Sequence, residues 1–241
     1  MTRQRLDELL VRRGLYSSRS RARDAIARQT VRVDGILAEK PAQNTARDCR
    51  IEIIDEAQKY VSRSALKLKH GLEFFRISVK DLNCLDVGAS TGGFTQVLVE
   101  QGAAHVTAID VGHGQFSGRF KTHPRVTSIE GLNARDLAAG HIGHDIEFIA
   151  CDVSFISLKL ALPPALTLAK SGARLIALIK PQFEAGKEAV GRGGIVSGPL
   201  EHERVCGEIS EFLTAENWKV LGITPSSIEG GAGNKELLIA P

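Results

Sequence analysis

The chain has 241 residues, 43% of them hydrophobic, with a formal net charge of +3 and four cysteines. That is enough apolar material for one medium domain and a small one. The cysteines show no C-x-x-C pair and no histidines at zinc-ligand spacing, and no apolar stretch reaches secretory or membrane-spanning length, so a cytoplasmic protein with no membrane partner and no required metal is expected.

The charge is unevenly placed. Residues 1–59 hold 13 Lys/Arg against 9 Asp/Glu, while the remainder holds 18 against 19. A small basic module on a near-neutral body suggests a unit that docks on a polyanion, and a solvated basic surface explains the charge equally well. Within it, Leu6, Leu9 and Leu10 recur at helical spacing and Gly14 is placed as a stop. Ser17, Ser18 and Ser20 offer N-cap oxygens to a second helix carrying Ala22, Ala25 and Ile26. Val31–Leu37 reads as two strands joined at Asp34-Gly35, a strong hairpin signal. A polar loop from Pro41 leads to a strand at 50–54.

The stretch RLDELLVRRGLYSSRSRARDAI followed by VRVDG resembles the RNA-binding domain first seen in a small-subunit ribosomal protein. The resemblance implies that the module binds structured RNA, with Arg5, Arg19 and Lys40 as phosphate contacts that position without reading bases. Tyr16 is the only aromatic candidate for stacking in the module.

From about residue 60 helices alternate with short apolar strands. A helix at 62–77 carries Ala65, Leu68, Leu72 and Phe75 on one face, and strands are expected at 83–87, 105–109, 126–130, 146–151, 173–179, 218–224 and 235–240. Helices fall near 93–102, 134–140, 157–170 and 200–216. The fold class is α/β: a mostly parallel, Rossmann-like sheet behind a small N-terminal α+β domain. The expected boundaries are 1–57 for the small domain, 58–61 for a linker and 62–241 for the body.

Ligands of such sheets bind beyond the carboxyl ends of the strands. The first loop there is LDVGASTGGFT, in which glycines permit close approach of a ligand and the next helix offers free N–H groups. Asp110 ends the following strand, where a carboxylate can accept ribose hydroxyls. These two features suit a dinucleotide as well, but the loop is not G-x-G-x-x-G and no phosphate loop occurs. Asp86, two residues before the first glycine, favours S-adenosylmethionine, which has no pyrophosphate to cradle.

Polar residues recur at the later strand ends: Asp152 in CDVSFISL, Lys180 in LIKPQFE and Glu236 in GNKE, with Lys67 one turn into the helix before the sheet. Together with DVGASTGGFT, AIDVGHGQ, NAR at 133–135 and GRGGIV, these motifs resemble the FtsJ-like methyltransferases. They resemble more closely the TlyA (haemolysin A-like) family of ribosomal RNA ribose 2′-O-methyltransferases. Ser64 stands where that pattern has glycine, Gln96 where aspartate often follows GGFT, and Ser197-Gly198 where an acidic residue is usual.

The resemblance implies a seven-stranded sheet with an antiparallel last strand, and methylation of a ribose 2′-hydroxyl, on a cytidine, in ribosomal RNA or a ribosomal subunit. It implies a catalytic set of Lys67, Asp152, Lys180 and Glu236. Lys180 is the expected base, acting as a neutral amine, a state favoured by nearby Lys67 and a cationic sulfonium and opposed by Asp152 and Glu236. Around the cofactor it places Gly88, Ser90, Gly92, Gly93 and Phe94 near the methionine and ribose, Asp110 on the ribose, and Asn133 and Ala134 near the adenine. Arg63 and Arg135, close to these motifs, are candidates for substrate phosphates. The glycine-rich segment 186–198 reads either as a mobile loop over the site or as a plain surface loop. Rival readings are a membrane-active haemolysin, an RNA-binding assembly factor with an inactive body, and a nicotinamide-dependent enzyme.

Overall fold

The structure, a computed structural model, describes residues 3–241, which form two units meeting in sequence at Lys59 and Tyr60. In the first, β1 (Arg3–Arg5) leads into α1 (Leu6–Arg12), whose Leu6, Leu9 and Leu10 have no exposed surface. Gly14, at φ +69°, reverses the chain after α1. Ser18 caps α2 (Arg19–Ala27) by accepting from the Arg21 N–H, and Ala22, Ala25 and Ile26 face the core. Strands β2 (Val31–Val33) and β3 (Ile36–Leu37) form the expected hairpin. Asp34 and Gly35 both take positive φ, 49° and 81°, as a two-residue turn of this hand requires.

The polar segment after Pro41 contains β4 (Asn44–Ala46), which pairs antiparallel with β1. Neither strand carries an alternating apolar pattern, so neither was expected from the sequence. β5 (Ile51–Ile53) completes a three-stranded sheet on the other edge of β2. Asp55 accepts from Tyr16 and from both ends of the Arg28 guanidinium. Burial alone would raise its carboxyl, but these bonds bring it below its ordinary value.

The second unit opens with α3 (Ala65–Phe74), then alternates β6 (Asn83–Val87), α4 (Gly93–Glu100), β7 (His105–Asp110), α5 (Gly118–Lys121), β8 (Val126–Glu130) and β9 (Ile146–Cys151). After β9 come α6 (Leu158–Ala161), α7 (Pro163–Leu168), β10 (Ala169–Ile179), α8 (Pro181–Glu184), α9 (Pro199–Ala215), β11 (Gly222–Pro225) and β12 (Leu237–Ala240). The seven strands lie in the order β11-β12-β10-β9-β6-β7-β8, parallel except that β12 runs against both its neighbours. This is the Rossmann-like sheet expected.

Alternate residues of each strand enter opposite faces. Ile176 and Leu178 pack with Leu68, Leu72 and Leu98 on one side, while Leu175, Ala177 and Ile179 pack with Val205, Ile209 and Leu213 on the other. Two expected helices are corrected. The one at 157–170 is broken into α6 and α7, where Pro163 interrupts it, and its last residues already belong to β10. The one at 134–140 is two single 3-10 turns, Ala134–Asp136 and Ala139–His141. The strand expected from 218 begins only at Gly222, because Trp218 and Val220 pack against the sheet without joining it.

Candidate active site

β6 pairs with β7 on one side and β9 on the other, so the connections diverge at the β6/β9 boundary and leave a crevice at its carboxyl end. Gly88, at φ +84°, leaves β6 there. A Cβ on it would stand 2.6 Å from the backbone oxygen of Asp152, so the site admits only glycine. Asp110 fastens the glycine loop to the next strand: its Oδ2 accepts from Ser90 N–H at 2.8 Å and its Oδ1 from Gly112 N–H at 2.7 Å. The second lone pair of each oxygen is left for a ligand's hydroxyls.

The crevice is a cavity of about 910 Å³, within the roughly 300–1,000 Å³ range of small-molecule sites. Gly88, Ser90, Asp110, Asn133, Ala134, Arg135 and Asp152, all expected site residues, line it. A cradle with no room for a side chain at Gly88, beside an acidic strand end, fits a nucleoside cofactor such as S-adenosylmethionine. Residues not anticipated also line it: Gln115, the run Ser154–Ser157 and Phe183. Phe155 is 90% exposed at φ +65°, its ring 5.0 Å from that of Phe183. The only sequence signal was an aromatic residue within an otherwise polar strand-end loop.

Three expected cofactor contacts line neither this cavity nor the smaller one beside it. Asp86 is fully buried, and its Oδ2 accepts from the Thr95 hydroxyl at 2.6 Å. Gly92 lies against Phe116, and Gly93 against Ser62 and Ser64, so these glycines serve packing of the loop on its own protein. Arg63 also lines neither cavity.

The smaller cavity, about 170 Å³, adjoins Gly88 and Ser90 and is lined by Lys180, Asp152, Phe94 and three hydroxyls, those of Ser62, Ser64 and Ser154. Lys180 Nζ donates to Ser154 Oγ at 2.8 Å and lies 2.6 Å from Asp152 Oδ1 as an ion pair. Lys67 and Glu236 form a second pair at 2.5 Å, with side chains only 7% and 3% exposed. The four residues therefore gather as two ion pairs, one facing the cavity and one buried. Ser64 is in ordinary right-handed backbone, and its hydroxyl meets that of Ser62 at 2.9 Å. Gln96 accepts from Val61 N–H at 2.9 Å and so ties the segment before α3 to α4.

Burial, with the charges of Asp152 and Asp110, pushes the Asp86 carboxyl up to about 7 against the opposing Thr95 bonds. Burial likewise raises Glu184, although Ser157 and Leu158 donate to it. The glycine-rich segment holds two single turns and is tied down by Asn234. The side chain of Asn234 accepts from Val196 N–H at 3.2 Å and donates to Gly194 O at 2.9 Å. Among the described residues no group of three or more potential metal ligands occurs, and no helix is long and apolar enough to cross a membrane.

The FtsJ-like methyltransferase family matches residues 60–241, and the S4 domain matches residues 4–44. The 16S/23S rRNA (cytidine-2′-O)-methyltransferase TlyA of Mycobacterium tuberculosis is 41% identical over 98% of this chain and 89% of its own length. Hemolysin A of Brachyspira hyodysenteriae is 37% identical over 97% of this chain and 98% of its own. A solved Streptococcus thermophilus protein carrying a hemolysin name superposes with a TM-score of 0.78 at 37% identity, covering 100% of this chain and 88% of that one.

Proposed function

The chain belongs to the FtsJ-like methyltransferase family, in its S4-bearing TlyA group, and from that premise we propose that it methylates the 2′-hydroxyl of a cytidine ribose in ribosomal RNA, using S-adenosylmethionine. The observation that carries the reading is the Lys180–Asp152 pair lining a small cavity that shares Gly88, Ser90, Asp152 and Ser154 with the nucleoside-sized crevice. Gly88, Ser90 and Asp110 would hold the cofactor beside Asn133 and Ala134, with Phe94 at the smaller cavity. Asp86, Gly92 and Gly93 would support that binding from behind the loop.

When bound, S-adenosylmethionine supplies an electrophilic methyl group on a cationic sulfur. Lys180 Nζ takes the proton of the 2′-hydroxyl as its oxygen attacks, and Asp152 at 2.6 Å stabilises the ammonium so formed. Asp152 and Ser154 aim Lys180, and the buried Lys67–Glu236 pair, which lines neither cavity, anchors the start of β12 beside the end of β10 that carries Lys180. Much of the acceleration comes from alignment, because a buried lysine anchored at two points holds the acceptor oxygen in line. The exposed Phe155, backed by Phe183, offers an apolar face to an unstacked base. Arg135 at the cavity rim, Arg63, and the S4-type module through Arg5, Arg19 and Lys40 would hold phosphates.

Lys180→Ala is expected to abolish methyl transfer to ribosomal RNA while S-adenosylhomocysteine binds with unchanged affinity. Retained turnover would remove the base assignment. Labelled methyl transfer to isolated small subunits, large subunits and whole ribosomes, followed by mapping of the modified ribose, tests the substrate. Failure on all three removes the reading.

A further inference from the structure

The four-residue loop Ser154–Ser157 leaves β9 and lines the larger cavity throughout its length. It is strung between the two ends of α8. At one end Lys180 Nζ donates to Ser154 Oγ at 2.8 Å. At the other, Glu184 accepts twice: from Ser157 Oγ at 2.5 Å and from Leu158 N–H at 2.8 Å. Between these anchors sits Phe155, in left-handed backbone that is strained for a bulky residue. Its ring is 90% exposed, so burial offsets little of that strain. The anchors and the Phe183 ring, which α8 itself carries, hold the conformation.

The backbone just after Glu184 is in turn held from behind. Arg204 on α9 donates to Ala185 O at 3.1 Å and pairs with Glu208, while Glu208 also takes Lys159 of α6 at 2.6 Å. The chain of contacts from α9 through α8 to the loop has no free joint at Glu184. Strain kept at an exposed aromatic side chain in a binding cavity marks a functional conformation.

We infer that Glu184 is a positioning residue that fixes the Phe155 loop as a rigid wall for the acceptor nucleoside; the inference rests on the ribose-methylation reading. Leucine at this position keeps much of the bulk but accepts nothing, so both bonds are lost, whereas a glutamine amide could donate to Ser157 Oγ and keep them.

The test compares wild-type protein, Glu184→Leu, Phe155→Ala and the double variant, with Ser157→Ala removing one of the two bonds from the loop side. In Glu184→Leu, amide hydrogen exchange at residues 154–158 should quicken while the rest of the chain is unchanged. Methyl transfer to ribosomal RNA should fall roughly 10- to 100-fold, in kcat more than KM, because RNA still docks while its acceptor is misplaced. S-adenosylhomocysteine affinity should stay within about twofold. The double variant should be no slower than Phe155→Ala, since Glu184 acts through that ring. Unchanged exchange at 154–158, or losses that multiply in the double variant, would overturn the inference. A wild-type protein inert on ribosomal RNA would sink the methylation reading, and the exchange measurement would still decide whether Glu184 holds the loop.

Discussion

Gly88 and Asp152 touch through their backbones: the place of a Gly88 Cβ is 2.6 Å from the Asp152 carbonyl oxygen, and Asp152 N–H donates to Val87 O at 2.9 Å. The proposed cofactor loop and the residue that pairs with Lys180 are therefore one rigid piece. Gly88→Ala meets both a left-handed backbone, costing about 1–2 kcal/mol, and a collision with main chain that no rotamer relieves. Displacing Asp152 should lower methyl transfer roughly 100-fold and weaken S-adenosylhomocysteine binding. Calorimetric titration and initial rates check this; binding at wild-type strength would show that the contact is not needed.

The buried Lys67–Glu236 pair should behave asymmetrically. Glu236→Gln leaves an uncompensated buried ammonium and should cost about 3–5 kcal/mol in urea unfolding. The double variant Lys67→Met, Glu236→Gln removes both charges and should recover most of that stability while remaining inactive. Recovery of activity along with stability would make the pair purely structural.

Asp86 gives a pH dependence of known sign. Its carboxyl is pushed up to about 7 in the folded chain against 3.8 for an ordinary aspartate. The folded state thus holds the extra proton, so this group's contribution is full below about pH 4 and is lost as pH rises through about 7. Asp86→Asn, which keeps an acceptor for Thr95, should gain stability relative to wild type across that window, on the order of a few kcal/mol. A stability difference that does not change between pH 4 and 8 would contradict the assignment.

Arg5 and Arg19 converge on the fully buried Asp7, each at 3.1 Å, and also approach Glu8. The Arg5 bond holds the Asp7 carboxyl below its ordinary value. Their guanidinium groups remain 42% and 51% exposed, so the acid orients them while leaving outward N–H groups. Replacing either by alanine should lower the salt dependence of RNA binding by about one unit of slope. An unchanged slope would mean that Asp7 and Glu8 fully occupy them.

The sheet was legible because apolar runs of strand length punctuated by helices need only local pattern to be read. Four of the seven strands, β6, β7, β8 and β9, begin at their expected residues Asn83, His105, Val126 and Ile146, while β10 starts earlier and β11 and β12 later than expected. The broken helix at Pro163 and the polar β1–β4 pair were not legible: the first turns on a proline accommodated at a new helix start, the second on backbone pairing with no side-chain signal. Among candidate site residues, sequence pointed to Asp110, Asp152, Lys180 and Glu236 at strand ends. It gave no weight to Ser62, Ser64, Ser154 or Glu184, because small polar residues near loops are common everywhere.

By itself the sequence determined that charged residues recur at strand ends after a glycine loop. Only the tertiary structure decided how they combine. Lys67 and Glu236 are 169 residues apart, and they meet because β12 runs antiparallel between β11 and β10, bringing the start of that strand to α3. Periodicity and turn chemistry act over a few residues, whereas the partner of a buried charge is set by sheet order and register, which no local stretch of sequence contains.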